Sequence, residues 1–215
     1  MSNKTITIAD YGMGNLFSIE RAINRIGGMA HITDNPSDIA KAERVILPGV
    51  GAFGKGMHEL RARRLDEALR EFIKTGRPLL GICLGMQLLF SEGAEFEWNE
   101  GLSIVAGKVI RFKDPMPDEN IFKIPQIGWN RILPQGALPW DATILDAIAP
   151  GSYFYFVHSF ICVPENNAHV LAASEYGRDI FCSVARKDNV YGCQFHPERS
   201  AADGLKIYDN FLHKV

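Results

Sequence analysis

The chain has 215 residues, 47% of them hydrophobic and 22% charged, with 23 basic against 25 acidic side chains. That length suits one sizeable domain and that composition supplies a packed core, which excludes intrinsic disorder. The formal net charge of -2 offers no basic field for a phosphate backbone, and the longest apolar run, residues 153–157, falls far short of the about 20 residues that cross a bilayer. Neither nucleic acid nor a membrane is therefore an expected partner.

In chain order, Met1-Ser2-Asn3-Lys4 leads straight into Thr5-Ile6-Thr7-Ile8 without a secretory apolar stretch, so the expected location is the cytoplasm. In that reducing compartment Cys83, Cys162, Cys182 and Cys193, which form no CxxC pair, are expected as free thiols. Residues 5–9 read as the first strand. Asn15 then caps a helix with Leu16, Ile19, Ile23 and Ile26 at helical spacing until Gly27-Gly28 stops it, and residues 29–33 make a second strand. Residues 44–47 read as a third strand, and a later helix carries Leu65, Ala68, Leu69, Phe72 and Ile73 on one face. Residues 79–82 form a short buried strand and 84–90 have helical spacing, so Cys83 falls where a strand turns into a helix.

From about residue 101 the character changes to β-rich runs separated by Gly, Pro and Asn, at 103–112, 124–132, 153–163, 169–175, 180–185 and 190–194. A last helix, capped by Asp203, carries Leu205, Tyr208, Phe211 and Leu212. The pattern predicts an α/β fold: an open, mixed, mostly parallel sheet with helices on both faces and additional antiparallel strands. No repeat or long linker divides the chain, which is read as one domain over residues 1–215.

Gly81-Ile82-Cys83-Leu84-Gly85 is the thiol counterpart of the Gly-x-Ser-x-Gly nucleophile elbow. A side chain at either flank would collide with neighbouring backbone, and the helix N-terminus behind the turn favours the thiolate. The second element is Gln194-Phe195-His196-Pro197-Glu198. On an extended segment residues two apart point the same way, so Glu198 can fix the tautomer of His196 and support its imidazolium. Both motifs fall at carboxyl ends of strands, where open α/β sheets bind ligands.

Gly49-Val50-Gly51-Ala52-Phe53-Gly54 satisfies Gly-x-Gly-x-x-Gly, but it follows the third strand and no strand ending in an acid lies about 20 residues on, against a dinucleotide site. The amides of Val50, Gly51 and Leu84 instead read as donors to an oxyanion. His-x-Glu opens a zinc deaminase signature, but no cysteine follows position 193, so no metal and no cofactor are expected. His158 ends an aromatic run that reads as a core strand with its polar end at a pocket rim.

These residues resemble the class I glutamine amidotransferases, whose elbow reads Gly-x-Cys-x-Gly-x-Gln, here 81–87, and whose last strand ends in His-Pro-Glu, here 196–198. Within that class Asp10-Tyr11-Gly12-Met13-Gly14-Asn15-Leu16, Pro48-Gly49-Val50-Gly51-Ala52-Phe53-Gly54, Gly128-Trp129-Asn130, Tyr155-Phe156-Val157-His158-Ser159 and the segment 192–200 are similar to glutaminase subunits of imidazole glycerol phosphate synthases. Pro125-Gln126-Ile127 stands where those subunits usually have Pro-His-Met, and Phe160 where a tyrosine is common.

The resemblance implies a catalytic triad of Cys83, His196 and Glu198 acting on L-glutamine, with Gln87 and Glu95 contacting the substrate and the backbone near Ser159 and Phe160 lining its pocket. It also implies a heterodimer with a cyclase subunit, a β/α barrel, which receives the ammonia. Asn15, Trp129 and Arg199 are the interface candidates. Glutaminase subunits of other pathways (surface sugar, anthranilate or aminodeoxychorismate) remain alternatives, as does a noncatalytic nucleotide-binding or interaction domain with an inert Cys83.

Overall fold

The computed structural model describes residues 4–114, 122–135 and 138–215. The reading of Met1–Asn3 lies outside them. The first part runs β1 (Thr5–Ala9), α1 (Leu16–Arg25), β2 (Met29–Thr33), α2 (Pro36–Lys41), β3 (Val45–Leu47), α3 (Phe53–Ala62), α4 (Leu65–Lys74), β4 (Leu79–Ile82) and α5 (Leu84–Leu88). Next come β5 (Phe90–Gly93), β6 (Asn99–Glu100), β7 (Val105–Arg111), β8 (Gln126–Arg131) and β9 (Leu133–Pro134). The chain closes with β10 (Tyr153–His158), β11 (Phe160–Pro164), β12 (Val170–Tyr176), β13 (Asp179–Lys187), β14 (Val190–Cys193) and α6 (Ala201–His213).

Among the described residues one sheet has the order β2-β1-β3-β4-β14-β13-β11-β7-β5-β6, with β12 and β9 branching from β13. The run from β2 to β14 is parallel, whereas β14, β13, β11 and β7 pair antiparallel. Every residue of β3, β4 and β14 is buried, because central parallel strands are covered on both faces. Ile19 and Ile23 of α1 and Ile207, Tyr208 and Phe211 of α6 pack on one face with Ile6, Ile8 and Ile82. Ile39, Met57, Leu60, Leu69 and Phe72 cover the other face with Leu47 and Leu79. The expected sheet with helices on both faces is therefore present.

Local chemistry explains the element ends. The Asn15 side chain accepts from Ser18 N at 3.3 Å and starts α1; Gly27, at φ +80°, ends it. Asn35 does the same for α2 by accepting from Ser37 N at 3.0 Å, with Pro36 at the first helical position.

Four expectations need correction. The helix after Cys83 stops at Leu88, because Phe90 already pairs with Val105 at the start of a strand. The third strand begins at Val45, one residue after Arg44, whose side chain reaches the α6 carbonyl of Phe211 at 3.1 Å. The run 153–163 is two strands in two sheets: β10 pairs with β8, β11 with β7 and β13, and the chain changes sheet at Ser159. Ser200, not Asp203, stands at the N-cap of α6, and Asp203 lies inside the first turn.

Candidate active site

Cys83 leaves β4 with φ +54° and ψ −111°, a strained backbone for a residue with a Cβ. Two features enforce it. The Cys83 N–H donates to the Cys193 carbonyl at 2.8 Å, and the flanking glycines leave room for nothing else. A Cβ on Gly81 would stand 2.8 Å from the Gly85 and Met86 backbone, and one on Gly85 would overlap the Leu47 carbonyl oxygen. The sulfur lies 3.9 Å from the Val157 carbonyl and accepts from Gln194 Nε2 at 3.7 Å. The other three thiols are buried, and burial pushes each upward, away from ionisation.

His196 follows β14, its N–H donating to Tyr155 O at 2.9 Å and its carbonyl accepting from Ser200 Oγ at 2.6 Å. Its Nδ1 meets Glu198 Oε1 at 2.8 Å. The alignment does not come from an extended strand: Pro197–Arg199 form a 3-10 turn that folds the carboxylate back beneath the ring. Tyr208 donates its hydroxyl to the other carboxylate oxygen at 3.3 Å, and burial pushes that phenol up so that it keeps its proton.

Nε2 of His196 is buried and makes no hydrogen bond. Burial alone would lower its pKa, but the neighbouring Cys83 sulfur and the Glu198 carboxylate more than reverse that and raise it from 6.5 to about 10. The surroundings of this ring thus favour its protonated form.

Both groups line one cleft of about 390 Å³. One wall is Val50, Gly51 and Ala52; the other is Val157, His158, Ser159 and Phe160, with Leu84, Gln87 and Glu95 completing it. Gln87 Nε2 donates to Phe160 O at 3.2 Å and to Gln194 Oε1 at 3.0 Å, so this amide braces the wall. Glu95 accepts from Phe53 N at 2.8 Å, a carboxylate at a helix N-terminus that no side chain of α3 caps. Gly49 packs beneath the elbow, where a Cβ would meet the Tyr11 hydroxyl and, at 2.9 Å, Leu84 Cβ. The first glycine of the motif is therefore built against the elbow. Among the described residues no cluster of His, Cys, Asp and Glu could hold a metal.

Of the interface candidates, Arg199 lies 4.1 Å over the Tyr155 ring and Trp129 meets the same ring edge-on at 6.3 Å. Trp129 is 53% exposed, while Asn15 is used as the cap of α1. Sequence reasoning missed Gln194, Tyr208 and Tyr155 as supports of the site, Phe96 as part of the cleft lining, and Gln126, whose side chain meets His158. Gln194 sits within the motif 194–198, but nothing in its spacing reveals that its amide turns toward Cys83.

The model of the class I glutamine amidotransferase family matches residues 7–215. The imidazole glycerol phosphate synthase subunit HisH of Syntrophotalea carbinolica is 44% identical over 96% of this chain and 98% of that one. The protein of the same name in Salinibacter ruber is 47% identical over 95% of this chain and 92% of its own. The chain belongs to the class I glutamine amidotransferases, in the HisH family. Solved structures share the fold at low identity: a glutamine amidotransferase with a TM-score of 0.71 at 17% identity, covering 96% of both chains, and PurLQS from Thermotoga maritima with 0.67 at 18%, covering 99% and 98%. The relatives' name makes each of them one subunit of a synthase.

Proposed function

We propose that the chain, acting as one domain over residues 1–215, is the glutaminase subunit of an imidazole glycerol phosphate synthase in histidine biosynthesis. The observation that carries the reading is the meeting of Cys83 and a Glu198-bound His196 in one cleft. Cys83, its thiol proton transferred to His196, attacks the side-chain amide of L-glutamine as the thiolate, and the tetrahedral oxyanion is met by the amides of Leu84 and of the Val50-Gly51 turn. His196 gives its proton to the leaving ammonia, forming a glutamyl thioester, and then takes a proton from the water that hydrolyses it. Glu198 orients the ring. Gln87, Glu95 and the Ser159–Phe160 backbone hold the substrate.

Ammonia released into neutral water becomes ammonium and loses its nucleophilicity, so a partner must take it directly. That partner is the cyclase subunit, a β/α barrel in a cytoplasmic heterodimer, docking over the cleft face with Asn15, Trp129 and Arg199. There the ammonia nitrogen enters the imidazole ring of imidazole glycerol phosphate, and aminoimidazole carboxamide ribotide leaves as the co-product. Occupation of the cyclase turns the Val50–Gly51 amides toward the oxyanion.

Two measurements test this. An electrophilic glutamine analogue should label Cys83, which lines the cleft, ahead of the other three thiols, with glutamine protecting it; absence of labelling would leave a binding module. Mixing with candidate acceptor subunits should raise glutamate release only with the cyclase. Stimulation by an anthranilate, aminodeoxychorismate or surface-sugar acceptor instead would move the chain to that pathway.

A further inference from the structure

We propose that Gln126 and His158 form a buried relay that positions the wall of the glutamine pocket, with His158 held as a neutral imidazole protonated on Nδ1. The relay rests on the glutaminase reading and adds positioning residues to it.

The two residues face each other across the β10–β8 pair, where register places His158 opposite Gln126. One residue later the chain leaves that small sheet for the large one, so Ser159 and Phe160 lie at a junction where ordinary ladder bonding is interrupted. The Phe160 carbonyl is gripped there by two side chains, His158 Nδ1 at 2.8 Å and Gln87 Nε2 at 3.2 Å. A carbonyl only accepts, so Nδ1 carries a hydrogen.

The other ring nitrogen, Nε2, lies 3.0 Å from Gln126 Oε1 as the amide is placed. Two arrangements satisfy that contact. A charged ring donates from both nitrogens, with the amide oxygen facing Nε2. A neutral ring accepts at Nε2 from the amide NH2, which a half-turn of the isosteric Gln126 group presents.

The surroundings select the neutral form. His158 is 6% exposed and enclosed by the rings of Phe112, Phe181 and Phe156 at 4.9, 5.1 and 5.7 Å. Among the described residues no carboxylate pairs with it. Burial, above all, pushes its pKa down to about 4, the Phe160 bond opposes, and the charge of His196 in the same cleft adds to the fall. A single imidazolium, that of His196, is therefore left facing the sulfur, and the pocket wall is pinned without a second charge.

The full-length protein labelled with 15N-histidine tests the relay directly. At pH 7, His158, assigned by its loss in His158→Asn, should show a protonated Nδ1 and an unprotonated Nε2. An Nε2-protonated or doubly protonated ring overturns the proposal. The Gln126→Leu variant leaves Nε2 without a donor and frees the ring, so the concentration of glutamine analogue giving half-maximal labelling of Cys83 should rise about tenfold. The maximal labelling rate should stay within about twofold, because the triad is untouched. A folded Gln126→Leu protein with unchanged analogue affinity also overturns the relay. If wild-type Cys83 is not labelled at all, it is the glutaminase reading that fails, and the His158 spectrum still decides the relay.

Discussion

Two glycine-rich turns meet at the cleft, and the structure holds them very differently. The elbow at Gly81–Gly85 follows β4 and the turn at Gly49–Ala52 follows β3, neighbouring parallel strands. In the elbow, backbone abuts backbone on both sides of Cys83, and every residue from Gly81 to Gly85 is buried. In the turn only Gly49 is clamped; Val50 is 44% exposed and Gly51, at φ +108°, is exposed. A nucleophile must be fixed to be aimed, whereas the proposed switching of the Val50–Gly51 amides needs a segment with few constraints. The same residue type thus sits in a crowded setting in one turn and an open one in the other.

The largest effect expected is on the elbow's chemistry. Cys83→Ala should lower glutamate release by about a thousand-fold or more while the circular dichroism spectrum is retained; residual turnover near wild type would take the nucleophile elsewhere. Glycine substitutions then measure the contrast itself. Gly85→Ala drives a Cβ into the Leu47 carbonyl and should cost about 3 kcal/mol by urea unfolding. Gly51→Ala meets only a strained φ and the flexible end of Met13 at 2.8 Å, and should cost about 1 kcal/mol while impairing partner-stimulated turnover. Equal costs would show that the two turns are constrained alike.

The smallest change is expected in a pH scan. Because the folded His196 pKa is raised from 6.5 to about 10, its contribution to stability is fully present below pH 6.5 and is lost as pH climbs toward 10. Glu198→Gln removes one of the groups that raise it, so the decline in unfolding free energy between pH 6.5 and 10 should be shallower than in wild type.

Strands β1, β2 and β4, the helix capped by Asn15 and the cysteine elbow were legible in the chain, because each depends on near neighbours: apolar runs, a capping side chain, two glycines around one thiol. The break at Ser159 was not. The aromatic run 153–163 carries no turn residue stronger than a serine, and only pairing with two different sheets divides it. The His196–Glu198 contact was anticipated for the wrong reason, since alternation on a strand and a 3-10 turn bring the same two residues together. Ser200 escaped notice as the N-cap position because its hydroxyl is spent on Tyr155 N and His196 O rather than on the helix.

The order of residues, by itself, determined which groups can react and which local turns display them, since elbow geometry and caps are settled within a few bonds of the residue concerned. Tertiary structure alone decided what those groups meet. Cys83, Val157, Gln194 and His196 come from three separate strand ends, and their approach depends on β14 lying beside β4 and on β10 returning over it. The same long-range packing removes water from the ring of His158 and sets a carboxylate against His196, so the charge of each imidazole is a property of the assembled cleft and not of the histidine.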